Sequence, residues 1–417
     1  MGTYLDDLET MSRAEREAYQ GRRLAEMVGL GHERSSRVRK IFAESGLTPG
    51  DIRSIQDLAR LPVINRERLV ELEAAEPPYG GLEDPTAPVE RIFTSPGPVY
   101  EPHLGSDDPL WARAYKAAGF GPGDIALNAF SYHMVAAGLT FHGGLNRVGA
   151  TVVPSGASTT QQQVQLMRDL KVTGYTGTPS FLMAIIEKAK EMGYDFTKDF
   201  SVKRASFAAE PLQPSLRQRF EAEFGIDTYQ MYGATEVGDV AYECSAKKGW
   251  HLCEEVIVEI VDPATGQCVK PGELGEVVVT RLNSIFFLFR FGTGDLSSII
   301  EEPCSCGRTA LRLAGIAGRV GDAVKVRGMF VAPSQVKRVS ESFPGVGIQL
   351  VITREGHRDI LTARLCAGAG EDREGLKERF GKTFQELCTV RIDAVEFAAP
   401  GSMPADVKPL VDERSWK

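Results

Sequence analysis

Between residues 8 and 44 the apolar positions recur at helical spacing. Leu24, Met27 and Val28 share a face and charged residues fill much of the remainder, a pattern that predicts helix. The stretch TPGDIRSIQDLARLPVINRERLVELE is punctuated by Pro-Gly. It predicts a short helix around Ile52 to Leu58 and offers Asn65 as the N-cap of another, so residues 1–90 read as a helical leading region. From Arg91 the texture changes to short apolar runs broken by Gly and Pro. Ile125 to Phe130, Thr151 to Pro154, Val172 to Gly177 and Lys203 to Ala208 predict strands. Trp111 to Ala118, Gln161 to Leu170, Phe181 to Glu191 and Pro214 to Phe224 predict helices. Strand-helix alternation points to an α/β sheet. A further short strand is expected at Asp227 to Met231, and loops beyond the carboxyl ends of such strands are where ligands gather. Residues 255–300 turn strand-rich, with VIVEIVD, GEVVVT and IFFLFR between Pro, Gly and Asn turns. After Gly318 a further βαβ-like pattern runs on.

Composition narrows the function classes. A chain of 417 residues is expected to hold at least two domains. The formal charge of −8 disfavours nucleic acid as a partner. No apolar run approaches the roughly 18 residues of a membrane helix, and MGTYLDDLETMSRAERE lacks the order of a secretory signal. A cytoplasmic protein is the expectation, with no membrane partner. Seven Cys is an odd count that speaks against a disulfide framework.

The densest chemistry lies in Tyr229 to Glu236, YQMYGATE. Gly233 permits a sharp turn or a close approach to a ligand. Tyr232 offers a flat face, Thr235 a hydroxyl for phosphate, and Glu236 a hard oxygen for Mg²⁺. A plain strand-to-turn connection with a core Tyr and a solvated Glu is the structural alternative. Asp295, in a Thr-Gly-Asp turn after a strand-like run, could accept two hydrogen bonds from a ribose diol or, as an Asx-turn residue, bond its own backbone. Six residues separate Cys244 from His251 and one separates Cys304 from Cys306. These four ligands are the number a closed structural Zn²⁺ site requires. Scattered core thiols with a chance His are the alternative, and Cys253 is a substitute ligand.

YGATE, GWHLCEE, VEIVDPATGQCVKPGELGEVVVT, RFGTGD, CSCGRT and the GR…RGMFVAPSQV tail follow in an order that resembles the adenylate-forming superfamily. More narrowly they resemble the phenylacetate-CoA ligase family, including its coenzyme F390 synthetase branch. The resemblance implies a large α/β domain over 1–318, whose 240–318 part is strand-rich and carries the zinc ligands. A small mobile α+β lid domain then follows over 319–417. It also implies an AMP-forming ligase that activates a carboxylic acid, expected to be aromatic, as an acyl-adenylate and passes it to CoA. ATP or AMP, Mg²⁺, CoA and a structural Zn²⁺ are the implied cofactors, and a homodimer is left open. Two other readings stand beside it. One is a nucleotide- or acyl-adenylate-binding protein with weak or lost ATP turnover. The other is an adenylyltransferase acting on a deazaflavin-like cofactor, or acyl transfer to a carrier protein.

Carried over by position, Ala208, Ala209, Glu210 and Pro211 form the small-residue loop that admits adenine, unless they simply end a strand. Tyr232, Gly233, Asp295 and Arg319 complete the nucleotide contacts, with Thr235 and Glu236 catalytic. Lys408 falls near a late Lys that reaches the α-phosphate, or is a solvated surface Lys. Gly321 and the adjacent Asp322 fall at the expected hinge. Tyr132, His133 and Thr178 fall in the acyl pocket, Thr178 serving equally as a helix N-cap. Two departures stand out. Gly292 occupies a place where relatives commonly have a second Arg. The phosphate loop reads Thr94-Ser95-Pro96-Gly97-Pro98-Val99-Tyr100-Glu101-Pro102, with only Thr94, Ser95 and Gly97 retained. Its prolines delete NH donors, and Glu101 stands where a Lys is attractive. ATP is therefore expected to bind no better than AMP, and Glu101→Lys with Gly at Tyr100 to restore adenylation in part.

Overall fold

Alternating apolar strands and amphipathic helices build, in this computed structural model, a nine-stranded mixed sheet as the centre of the larger of two compact units, Met1–Val320 and Gly321–Lys417. The structure describes residues 3–95, 97–103, 110–263, 265–273, 275–316, 318–320, 324–327, 329–331, 336, 339–368, 370–388, 390–399, 401–404 and 407–414. Thr151–Val153, Ile125–Asn128, Gly174–Gly177, Arg204–Phe207 and Asp227–Ala234 lie side by side and parallel. Gly238–Glu243 then turns back antiparallel along Asp227–Ala234, and Trp250–Leu252, Arg312–Leu313 and Ile299–Ile300 extend that edge. Successive strand residues point to opposite faces. Ala126 accordingly joins one core with Phe141 and Leu145, while Leu127 joins another with Val164, Leu182 and Phe207. The inner parallel strands Ile125–Asn128, Gly174–Gly177 and Arg204–Phe207 are largely buried on both faces, while Thr151–Val153 at the edge stays partly exposed.

The helices form where their caps dictate. Ser12 and Glu15 make a reciprocal capping box at Arg13–Arg34, whose Leu24, Met27, Val28 and Gly31 face the core. Asn65 accepts from the Arg68 N–H and starts Arg66–Ala75, as its position predicted. The short helix expected around Ile52 to Leu58 is a 3₁₀ helix, Ile55–Arg60, with a shorter one before it, Pro49–Asp51. Two expectations need correction. The helix from Pro214 is α-helical only to Gln218 and continues as a π turn, Arg219–Glu223. IFFLFR is not a strand: Phe286, Phe287, Leu288 and Phe289 are all buried, and the strand is the next segment, Phe291–Ser297. An unbroken apolar run carries no period by which to tell a strand from a core-filling connection.

Phe291–Ser297 belongs to a second sheet with Val256–Val261, Gly275–Arg281 and the two-residue strand Ile64–Asn65. Arg91–Ser95 and Val99–His103 form a separate hairpin. The unit Gly321–Lys417 holds a four-stranded sheet, Ala394–Phe397, Arg358–Cys366, Gly347–Glu355 and Leu410–Asp412 in that order. Its helix Arg373–Cys388 buries Leu376, Phe380 and Phe384 into the same core as Leu350 and Leu361. Among the described residues no helix is long and apolar enough to cross a membrane.

Candidate active site

Asp227–Ala234 runs past the end of the parallel set, so Tyr232, Gly233 and Ala234 of YGATE lie on a strand and Thr235 and Glu236 follow it. Gly233 is a strand residue at a register shift. A Cβ there would lie 2.3 Å from the Gly238 carbonyl oxygen, so close backbone approach requires glycine and a tight turn does not. The turn itself falls at Thr235, Glu236 and Val237. Tyr232 is buried, stacked on Trp250 at 5.8 Å, and its phenol donates to Asp295 at 2.9 Å and reaches Thr293 Oγ1 at 3.2 Å. Arg319 pairs with Asp295 across the strands and places Nε 3.4 Å from its carboxylate, while Nη2 donates to the Thr293 carbonyl. Tyr232, Asp295 and Arg319, drawn from three distant stretches, thus meet as one polar corner. Burial first, and then the Asp295 charge, push the Tyr232 phenol well above its ordinary range, so it stays a donor.

Glu236 is buried next to this corner. One oxygen takes the Arg66 guanidinium and the other takes the Thr235 hydroxyl at 3.2 Å. Arg66 also donates to Ser95 Oγ at 3.0 Å, and that hydroxyl donates to Glu101 Oε1 at 3.0 Å. Glu101 therefore does not project into open space as its position in the loop suggested: it is buried inside the hairpin. Burial, and then the Glu236 charge, push its carboxyl well up, so at neutral pH it is not the repelling anion the sequence implied. Glu73 behaves alike. Its Oε2 accepts from the Tyr100 N–H at 2.8 Å, and burial lifts it to about 7. Thr94 is half-buried opposite Tyr100, its N–H given to the Met134 carbonyl at 2.9 Å. Pro96 lies outside the described residues.

The 208–211 loop follows Arg204–Phe207 directly. Ala208 donates to the Gly177 carbonyl, and Ala209 takes φ +72°, a left-handed conformation that a non-glycine residue seldom adopts. Glu210 accepts the Ser180 hydroxyl at 2.8 Å and its N–H at 3.3 Å, and Pro211 follows as the loop's exposed end. Thr178 caps Pro179–Glu191 by accepting from the Phe181 N–H. Tyr132 is held by Asn128 at 2.9 Å and faces His142 Nδ1 at 3.1 Å. His133, by contrast, is exposed, so the His that joins Tyr132 is His142, ten residues on. Phe130, Phe141 and Trp111 pack in a chain, Phe130 tilted against Phe141 with ring centroids 4.5 Å apart and Trp111 edge-on to Phe141 at 4.2 Å. Lys408 is exposed in the second unit, where its carbonyl accepts from Gln349. Gly321 and Asp322 lie outside the described residues.

Gly292 is small for a visible reason, since a Cβ there would meet Glu276 Oε1 at 2.7 Å and Val63 at 2.9 Å. Arg290 is fully buried on Glu259 and the Leu61 and Gly266 carbonyls, a strut for the second sheet.

Cys244, His251, Cys304 and Cys306 converge, their ligand atoms all within 4.8 Å of one another. Cys244 and Cys304 sulfurs stand 3.7 Å apart, and Cys306 Sγ lies 3.3 Å from His251 Nε2. A tetrahedron with Zn–S of about 2.3 Å and Zn–N of about 2.0 Å has edges of about 3.8 and 3.5 Å, so the four atoms fit that ion. His251 Nδ1 lies 3.2 Å from the Ala310 carbonyl, a contact that orients Nε2 toward the sulfurs. Cys253 is buried outside the group, and all seven cysteines are free of disulfides. What sequence reasoning missed is how the N-terminus clasps this loop. Tyr4 donates to the Cys306 carbonyl at 3.0 Å, and Glu9 is bound by Arg308 and lies 3.7 Å from the fully buried Arg113. No local pattern marks Arg113 as buried, because its partners Asp6, Glu9, Glu254 and Glu255 lie far away in sequence.

The AMP-binding enzyme family model matches residues 109–284. The chain is 32% identical to the phenylacetate-coenzyme A ligase of Thermus thermophilus over 85% of its own length and 82% of that protein's. It is 31% identical to the Escherichia coli K12 phenylacetate-coenzyme A ligase, over 87% and 85%. Its structure is similar to that of 2-hydroxyisobutyryl-CoA ligase in complex with 2-HIB-AMP and CoA, with a TM-score of 0.91, 25% identity, and coverage of 100% of this chain and 93% of that one. With relatives more than 30% identical over more than four fifths of its length, the chain belongs to the phenylacetate-coenzyme A ligase family of adenylate-forming enzymes.

Proposed function

We propose that this protein is an AMP-forming acid–CoA ligase acting on an aromatic carboxylic acid, and that the corner of Tyr232, Asp295 and Arg319 holds the ribose. The observation that carries the reading is that corner: a half-buried carboxylate already oriented by a phenol and a guanidinium, beside Thr235 and Glu236. Asp295 accepts from the ribose hydroxyls, and the 208–211 backbone flanks the base. A carboxylate oxygen of the acid attacks the α-phosphorus, the bond to the β-phosphate oxygen breaks, and pyrophosphate leaves. CoA thiolate then attacks the acyl carbon and AMP departs with the oxygen that bridged. Positioning and fixed charges supply the catalysis. Thr235 and Glu236 are the oxygens that would hold Mg²⁺, whose chemistry is to neutralise phosphate charge, and Lys408 is the cation proposed for the α-phosphate.

An aromatic acid is favoured by the Phe130, Phe141 and Trp111 rings near Tyr132 and His142, where the phenol–imidazole pair gives the pocket a polar wall. Cys244, His251, Cys304 and Cys306 hold a structural zinc ion on this reading. Cysteines without disulfides suit a cytoplasmic enzyme. ATP–pyrophosphate exchange across a panel of aryl, aliphatic and hydroxy acids tests the proposal. Exchange strongest with an aryl acid, followed by thioester formation on adding CoA, is the expected result. Exchange with none of them would favour a nucleotide-binding protein without turnover, a reading supported by the hairpin whose Ser95 and Glu101 are bonded to each other.

A further inference from the structure

Arg66 is the first residue of the helix Arg66–Ala75, directly after the strand Ile64–Asn65, which pairs in parallel with Phe291 and Gly292. That pairing anchors Arg66 just ahead of Thr293, Gly294 and Asp295, which are not the turn the sequence suggested but part of the strand Phe291–Ser297. Its guanidinium holds two remote stretches together, Glu236 of the nucleotide corner through Nη1 and Ser95 of the hairpin through Nη2. The two partners differ in exposure: the Arg66 side chain is 30% exposed and that of Glu236 2%. The cation thus lines the open side of the pair while the carboxylate stands behind it. Around them the hairpin is closed on itself, with Ser95 bonded to Glu101 and the Tyr100 N–H bonded to Glu73. Glu73 Oε1 is buried without a hydrogen-bond partner. Ser95, Glu101 and the Thr94 and Tyr100 N–H groups of this loop are thus already bonded within the protein, and a polyphosphate arriving here meets Arg66, a cation that touches both loop and corner.

We propose that Arg66 binds the terminal phosphates of ATP, and that its pairing with Glu236 is a latch opened when MgATP arrives, phosphate taking the guanidinium and the divalent cation taking the carboxylate. The inference rests on the adenylation reading above. A guanidinium fork matches phosphate oxygens two at a time, and the exchange leaves neither buried charge unpaired, which makes it cheap relative to breaking the pair outright. As the bond between the α-phosphorus and the β-phosphate oxygen breaks, pyrophosphate carries the electron pair away, and Arg66 sits at the charge that develops. AMP, which has no terminal phosphates, has no means of opening the latch.

The test is calorimetric titration of wild type, Arg66→Gln and Arg66→Lys with ATP and with AMP, each with Mg²⁺. Arg66→Gln should lose at least about tenfold in ATP affinity while AMP affinity holds. Arg66→Lys, which keeps a charge beside Glu236 but loses the fork, should fall between. If Arg66→Gln fails to fold, Arg66→Lys alone decides, through a weakened ATP affinity at constant AMP affinity. ATP affinity unchanged in both variants, or ATP and AMP weakened alike, would overturn the proposal, the second outcome marking Arg66 as a structural strut. Pyrophosphate exchange is read separately: wild type that binds ATP through Arg66 yet exchanges with no acid sinks the adenylation reading and leaves the phosphate contact standing.

Discussion

The two ends of the nucleotide site are built on opposite principles. At the ribose end, Asp295 is oriented by Tyr232 and Arg319 and remains half-buried, a preformed acceptor that asks little rearrangement of its ligand. At the phosphate end, Glu236, Arg66, Ser95 and Glu101 bond in a chain, and Glu73 takes the Tyr100 N–H beside them. Any ligand there must exchange partners with the protein. Preorganised sites bind by complementarity, and satisfied ones bind only by substitution. The contrast teaches that nucleoside and polyphosphate affinity are separable in this protein and governed by different residues.

The cluster of Cys244, His251, Cys304 and Cys306, proposed to hold zinc, shares no ligand residue with either end and serves as the control with the largest expected effect. Stripping the metal with a chelator, or Cys304→Ser, should lower the melting temperature by roughly 5 °C or more, on the order of 2 kcal/mol. It should also free residues 3–11 for proteolysis, because Tyr4 and Glu9 are held by the Cys306–Arg308 segment. The ratio of ATP to AMP affinity should stay constant. Differential scanning fluorimetry with limited proteolysis reads both, and metal analysis finding no zinc in protein purified without chelator would remove the cluster's role.

Next in size is the ribose end. Asp295→Ala should weaken AMP and ATP alike, by about 1.5 to 3 kcal/mol for a lost charged acceptor, as measured by calorimetry. A loss confined to ATP would break the comparison. At the phosphate end Glu101→Lys should cost roughly 3 kcal/mol of stability, since it places an unpaired ammonium inside the hairpin. Glu101→Gln should cost under about 1 kcal/mol, because burial already holds that carboxyl neutral. A stable Glu101→Lys variant with improved ATP affinity would restore the view of Glu101 as a misplaced loop anion.

The smallest effect is a slope. Glu73, lifted to about 7, faces the Glu236 charge, Arg66 and the Tyr100 N–H. Its folded-state value lies above the ordinary carboxylate range of about 4.3. Its contribution to stability is therefore full below that range and lost as pH rises through about 7. Denaturant midpoints between pH 4.5 and 7.5 should fall less steeply in Glu73→Gln than in wild type.

Much of this was legible in the chain itself. Strand-helix alternation, the Asn65 cap, the convergence of Cys244 and His251 with Cys304 and Cys306, and the motif order all carry local signals, periodic or compositional. The parts that were not legible depend on long-range partners. Glu101 looked like an exposed anion because nothing in the loop announces the burial, and the distant Glu236 charge, that keep its carboxyl neutral beside the donating Ser95 hydroxyl. Arg66 lies 170 residues from Glu236 in the chain, so its pairing has no signature in either segment. IFFLFR failed for a different reason, since a run buried on all sides has no polar positions from which to read a period.

The claim on which the account rests is that the acid's own oxygen attacks the α-phosphorus. Turnover of a carboxyl-¹⁸O aryl acid with ATP, Mg²⁺ and CoA, followed by mass spectrometry of the products, tests it directly. The account predicts one ¹⁸O in the AMP released and none in pyrophosphate. Label appearing in orthophosphate with ADP as co-product would place the attack at the γ-phosphorus and contradict it.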